Sequence, residues 1–108
     1  MQKRETVPSH TYIEKAQLLG AVADPIRLQI LTQLTRYETL CVCKIETEPQ
    51  IPSNLLSYHL RILREAGVVV GERRGKWIDY SLAPGALERL HATLPSATAL
   101  KGTPCRCS

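Results

Sequence analysis

The 108-residue chain has no phenylalanine and one tryptophan, so its core must come mainly from Leu, Ile, Val and Ala. No apolar run reaches the roughly 18 residues a membrane-spanning helix needs, and no charged-then-apolar leader opens the sequence. Neither a membrane span nor a secretory signal is therefore expected. The implied setting is cytoplasmic and reducing, with the four cysteines read as thiols. C-x-x-C spacing and a thioredoxin-like β-α-β pattern are both missing, which argues against a dithiol oxidoreductase, and no enzyme is expected. Internal repeats and low-complexity blocks are absent as well. Carboxylates are in the minority, ten against fourteen Lys and Arg, and the net charge of +4 suits an anionic partner. The length fits one domain with a modest core.

What is present is organised around residues 51–67. At helical spacing Leu56, Leu60 and Leu63 form an apolar stripe, widened by Leu55 and Ile62. Asn54, Ser57, Tyr58 and Arg61 fall on the other side. That side is rich in hydrogen-bonding tips, which suits a helix laid against base edges and phosphates. Pro52 fits a first helical turn and Gly67 a left-handed cap. Upstream, Ser9 or Thr11 can cap a helix over 11–22, and Asp24-Pro25 signals the start of another, running to about 35. Residues 38–42 read as β-like, and a short third helix is expected over 42–48, stopped by Pro49. A short helix, a tight turn and a helix with a polar face make a helix-turn-helix.

Downstream of Gly67 the period changes to two. Residues 68–70 and 77–82 read as strands around a turn over 71–76 crowded with Arg73, Arg74 and Lys76. Between Ser53 and Lys76 there are five Lys or Arg and two Glu, so most of the chain's excess charge is gathered here, as on a phosphate-binding surface. A basic hairpin beside a helix-turn-helix is a wing. The expected fold is thus mainly α with a small β-hairpin, a winged helix-turn-helix over 9–95. A flexible arm over 1–8 precedes it, and a flexible cysteine-containing tail over 96–108 follows. A last helix over 84–94 carries Leu87, Leu90 and Leu94. Too much apolar surface lies on the first and last helices for a monomer, so both are expected to pair in a two-fold homodimer on double-stranded operator DNA. Asn54, Ser57 and Tyr58 are expected in the major groove, Ser53 and Arg61 on or near phosphate, and Arg73, Arg74 and Lys76 on the backbone or minor groove.

Four blocks resemble the ArsR/SmtB metal-sensing repressors, closest to the arsenic-responsive type. Residues 21–31, AVADPIRLQIL, resemble that family's ALADPTRLRIL. Leu40-Cys41-Val42-Cys43 resembles its ELCVC metal box, residues 56–67 its S-x-H-L-x-x-L-R-E-A-G signature, and residues 75–80 the G-R-x-x-x-Y of its wing. The resemblance implies a homodimeric repressor that holds its operator when metal-free and releases it when metal binds. His59 belongs to the signature, and its expected role is to contact phosphate or to fix the helix. Two positions depart from the family: Glu46 stands where some arsenic sensors carry a third cysteine, and the last helix offers only Glu88 and His91 where zinc-type sensors place their ligands.

Cys41 and Cys43 at a helix start would point about 200° apart, so one ion could take both sulfurs only if the turn is extended or distorted. Cys105-Arg106-Cys107 forms a second C-x-C pair. Arsenite or antimonite asks for three thiolates in a pyramid, while cadmium, lead or zinc accepts three or four. Cys41 and Cys43 with a sulfur from Cys105 or Cys107, from the same or the partner chain, make the expected site. The rivals are a thiol redox switch on the same repressor and a winged helix that binds protein instead of DNA, although the latter would not need a basic wing.

Overall fold

A computed structural model describes residues 9–97 and Gly102. The arm expected over 1–8 and the tail cysteines Cys105 and Cys107 lie outside the described residues. The elements run α1 (Ser9–Val22), α2 (Pro25–Leu34), β1 (Leu40–Cys41), a 3-10 turn (Val42–Lys44), α3 (Ser53–Glu65), β2 (Val69–Arg74), β3 (Trp77–Leu82) and α4 (Ala86–Ala92). The fold is a winged helix-turn-helix. No described helix is long and apolar enough to cross a membrane.

Local signals set most boundaries. The Asp24 carboxylate accepts from the N–H groups of Ile26 (2.8 Å) and Arg27 (3.2 Å), capping α2 with Pro25 in its first turn. At the far end of α3, Gly67 takes φ +77 while its N–H bonds to the Arg64 carbonyl and the Val68 N–H to the Leu63 carbonyl. This paired pattern closes a helix through a left-handed glycine. It turns the chain straight into the wing. Val68 and Val69 then drop into the core with Ile30, Leu60 and Leu63, all at most 2% exposed. Tyr80, Ala86 and Leu90 complete the wall on the other side.

The sheet has three antiparallel strands in the order β1-β3-β2, one more than a hairpin. Arg74 faces Trp77, so only Gly75 and Lys76 form the turn, and Arg73 and Arg74 belong to β2 itself. Glycine at the first of two turn positions, here with φ +63, matches the strong twist of paired strands. Gly71 answers a different need: a Cβ there would come within 3.0 Å of the Tyr80 ring and 3.2 Å of Ile78. The strand must pass close over a buried tyrosine.

Two expected helices change. The third, over 42–48, shrinks to the 3-10 turn, and the chain from 45 to 52 is irregular. Cys41 is extended (φ −62, ψ 141) and pairs with Asp79 on β3, which pulls the segment out of helical geometry at its start. Ile45 is buried, and Pro49 restricts the residue before it. The last helix begins at Ala86 rather than near Pro84, because Gly85 takes φ +73 just before it. Tyr12 and Ile13 on α1 and Leu94 beyond α4 stay more than half exposed. An open apolar hollow of about 340 Å³ lies between α1, α2 and α4, lined among others by Leu19, Leu28, Leu87 and Leu94.

Candidate nucleic-acid interface and cysteine pair

α3 presents the surface its pattern implied. Ser53, Asn54, Ser57, Tyr58 and Arg61 are all exposed, and Leu60 and Leu63 anchor the opposite side. The Arg61 guanidinium lies 5.6 Å from the centroid of the Tyr58 ring. No side chain caps the start of α3.

His59 is placed differently from its neighbours. It is 7% exposed, and its Nδ1 accepts a 3.0 Å hydrogen bond from Arg27 Nε, with the Asp24 carboxylate 3.8 Å away. Its ring is buried against α2 instead of lying on the exposed face of α3. Arg27 also donates to the Ala21 carbonyl at 3.1 Å, so one guanidinium joins the end of α1 to α2 and α3. Burial raises the Asp24 carboxyl, but the Arg27 and Ile26 N–H groups and the nearby Arg27 guanidinium outweigh it and hold the group below its ordinary value.

On the wing, Arg73, Arg74 and Lys76 are exposed. They are not equivalent. Arg74 Nε and Nη2 donate to the two oxygens of Asp79 at 2.8 and 3.2 Å, a two-pronged pair that lowers the Asp79 carboxyl and raises the guanidinium. Lys76 Nζ lies 5.4 Å from the Trp77 ring centroid. Arg73 makes one long contact, 3.4 Å to the Gly75 carbonyl, and is the least engaged of the three.

The cysteine pair sits where β1 gives way to the 3-10 turn. Extension at Cys41 followed by the tight turn brings the two sulfurs to 2.8 Å instead of spreading them as a helix would. The Cys43 thiol and, at 3.4 Å, the Cys43 N–H both bond to the Cys41 sulfur and hold it below the ordinary thiol range. The same bond pushes Cys43 up. Two sulfurs side by side, one of them with its pKa lowered, form a soft, two-pronged donor. Two sulfurs bound to one tetrahedral ion at about 2.3 Å each stand about 3.8 Å apart, so a small rotation would admit an ion between them. Among the described residues no group of three or more His, Cys, Asp or Glu is placed to hold a metal. Glu88 and His91 are exposed on α4. Asp79 and Arg27 are the contributors that the sequence patterns passed over; Asp79 lies across the β2–β3 hairpin from Arg74, five residues away.

Comparison with known proteins gives the family. Residues 24–70 match the bacterial regulatory protein, arsR family. The chain is similar to an uncharacterized HTH-type transcriptional regulator of Methanocaldococcus jannaschii, 35% identical over 79 residues that cover 73% of this chain and 89% of that one. It is also similar to the arsenical resistance operon repressor of Escherichia coli, 35% identical over 74 residues covering 68% and 63%. Among solved structures, a homodimeric winged helix-turn-helix DNA-binding domain from Mycobacterium bovis superimposes with a TM-score of 0.66 at 27% identity, covering 85% of this chain and 84% of that one. The chain spans only 49% to 63% of the Mycobacterium tuberculosis SmtB and the arsenical resistance repressors it matches. With the matched segment running from the cap of α2 into the wing, and one relative matched over nearly its full length, the chain belongs to the arsR family of bacterial regulatory proteins.

Proposed function

We propose that this chain is a metal(loid)-responsive transcriptional repressor that binds operator DNA as a homodimer and is released when arsenite or antimonite binds its cysteine thiolates. The observation that carries the sensing half is the 2.8 Å approach of the half-buried Cys41 sulfur and the exposed Cys43 sulfur. The pair lies where the strand joined to wing strand β3 gives way to the 3-10 turn, one loop away from α3. A trivalent arsenic or antimony centre takes three sulfurs; Cys41 and Cys43 supply two, and Cys105 or Cys107 of either subunit is the proposed third. Cadmium, lead or zinc is the alternative inducer of the same site. Bound there, such a centre would part the sulfurs and move the turn against β3 and the connection to α3.

On the DNA side, Asn54, Ser57 and Tyr58 read base edges in the major groove, while Ser53, Arg61, Arg73 and Lys76 meet phosphate. His59 fixes α3 from behind, and Arg74 reaches phosphate with the donors that Asp79 leaves free. Dimerisation through α1 and α4 would cover the exposed Tyr12, Ile13 and Leu94 and the apolar hollow. Release follows from linkage: an ion that disfavours the DNA-bound geometry must itself bind more weakly to the DNA complex, and a 100-fold effect corresponds to about 2.7 kcal/mol.

The test is a fluorescence-anisotropy titration of the protein on its operator with arsenite, antimonite, cadmium, lead and zinc in turn. Release by arsenite or antimonite at the lowest concentration is expected. Equal operator affinity with and without every ion would remove the sensing reading and leave a winged-helix DNA binder. The sulfur approach also favours one second reading. Two thiols that give two electrons and two protons to hydrogen peroxide leave a Cys41–Cys43 disulfide and two waters. In that case peroxide would release the operator, dithiothreitol would restore it, and no ion would be required.

A further inference from the structure

Gln29 and Gln33 lie one turn apart on α2 and hold the irregular connection as a neighbouring strand would. Gln33 Nε2 donates to the Glu46 carbonyl at 2.6 Å and its Oε1 accepts from the Glu46 N–H at 2.9 Å. Gln29 repeats the arrangement on Glu48, at 2.9 and 2.7 Å. The fit is geometric. Four residues of helix rise about 6 Å, and two residues of extended chain span about 6.6 Å. Side-chain amides at i and i+4 can therefore meet backbone groups at j and j+2, here in opposite chain directions. Thr47, between the two rungs, turns away and donates from Oγ1 to the Pro49 carbonyl at 2.9 Å.

This two-rung ladder replaces the hydrogen bonds that a helix over 42–48 would have made for itself. It fixes the chain five residues before Ser53, and Ile45 fastens it on the side of the cysteine turn. We infer that Gln29 and Gln33 are positioning residues for DNA reading. By holding residues 46–48 they set where the leading turn of α3 presents Ser53 and Asn54, although neither glutamine touches the duplex. The inference rests on the proposed DNA binding.

Gln29→Met with Gln33→Met keeps side-chain volume and removes all four bonds. On an operator recovered by selection from a random duplex library, the double variant should bind about tenfold more weakly, while its affinity for random duplex and the salt slope stay unchanged. Loss of fold would lower both affinities, so the operator-to-random ratio isolates the positioning effect. An unchanged ratio in a folded variant overturns the inference. Should the variant not fold, amide exchange on the unaltered protein decides: Glu46 and Glu48 N–H protected beside a fast Thr47 supports the ladder, and equal fast exchange at all three refutes it. A wild-type protein from which no preferred duplex can be selected defeats the DNA reading itself, a result distinguishable from failure of the ladder alone.

Discussion

α3 and the connection leading into it are neighbours in sequence, yet they are held by different kinds of bond. α3 makes its own backbone hydrogen bonds, ends on a left-handed glycine and sinks one row of leucines into the core. Residues 40–48 make few bonds among themselves. They borrow partners from β3 and from Gln29 and Gln33. A helix with a buried stripe moves as a unit. A segment fixed by borrowed contacts can shift when one contact changes, which suits a turn that carries two thiols beside a rigid DNA-facing element.

The sharpest way to break the comparison is to attack α3 through its core. Leu63 is fully buried, and Leu63→Ala should cost about 2–5 kcal/mol and lower the thermal midpoint. A variant that melts with the wild type would show that the apolar row is not what holds the helix. Cys41→Ser together with Cys43→Ser attacks the other region. Stability and operator affinity should survive while release by arsenite is abolished, a loss of about 2.7 kcal/mol of coupling if release is 100-fold. Normal release from that variant would place the sensing site elsewhere.

Smaller effects refine the contrast. Asp24→Ala should cost about 1 kcal/mol through loss of the α2 cap. Because the folded carboxyl is held below its ordinary value, that contribution is complete above the unfolded value near 3.9 and fades as pH falls through the lower folded one. Denaturant midpoints of the two proteins should therefore converge on acidification, and a gap constant down to pH 2 would contradict the assigned cause. Arg73→Gln should lower the slope of log affinity against log salt by about one, and Arg74→Gln by less, since Asp79 already binds that guanidinium. Equal slopes would mean that Asp79 gives Arg74 up to the duplex. Last, iodoacetamide at neutral pH should label Cys41 before Cys43; the reverse order would exchange donor and acceptor in the pair.

Legibility followed the range of the contacts. Asp24-Pro25, the leucine row of α3, Gly67 and the alternation of β3 act within a few residues of themselves, and each marked its element correctly. Residues 42–48 carry no local mark until Pro49, so a helix was the natural expectation. The contacts that decide otherwise come from Gln29 and Gln33, 19 and 13 positions away, and from Asp79 across the sheet. The α3 face was readable because its burial partners follow from periodicity. The meeting of the two sulfurs was not, because it depends on Cys41 being extended, and that extension comes from pairing with β3.

Short-range pattern and charge thus settled where α2 starts and α3 ends, and where the excess of positive charge gathers. Three-dimensional packing alone decided that β1 joins the wing, that His59 turns inward to Arg27, and that Arg74 is tied to Asp79. It alone also brought the Cys41 and Cys43 sulfurs together. The division has a physical cause: a backbone group satisfied by its near neighbours leaves its signature in local spacing, whereas one satisfied by a distant side chain or strand has no partner to reveal until the chain has closed on itself.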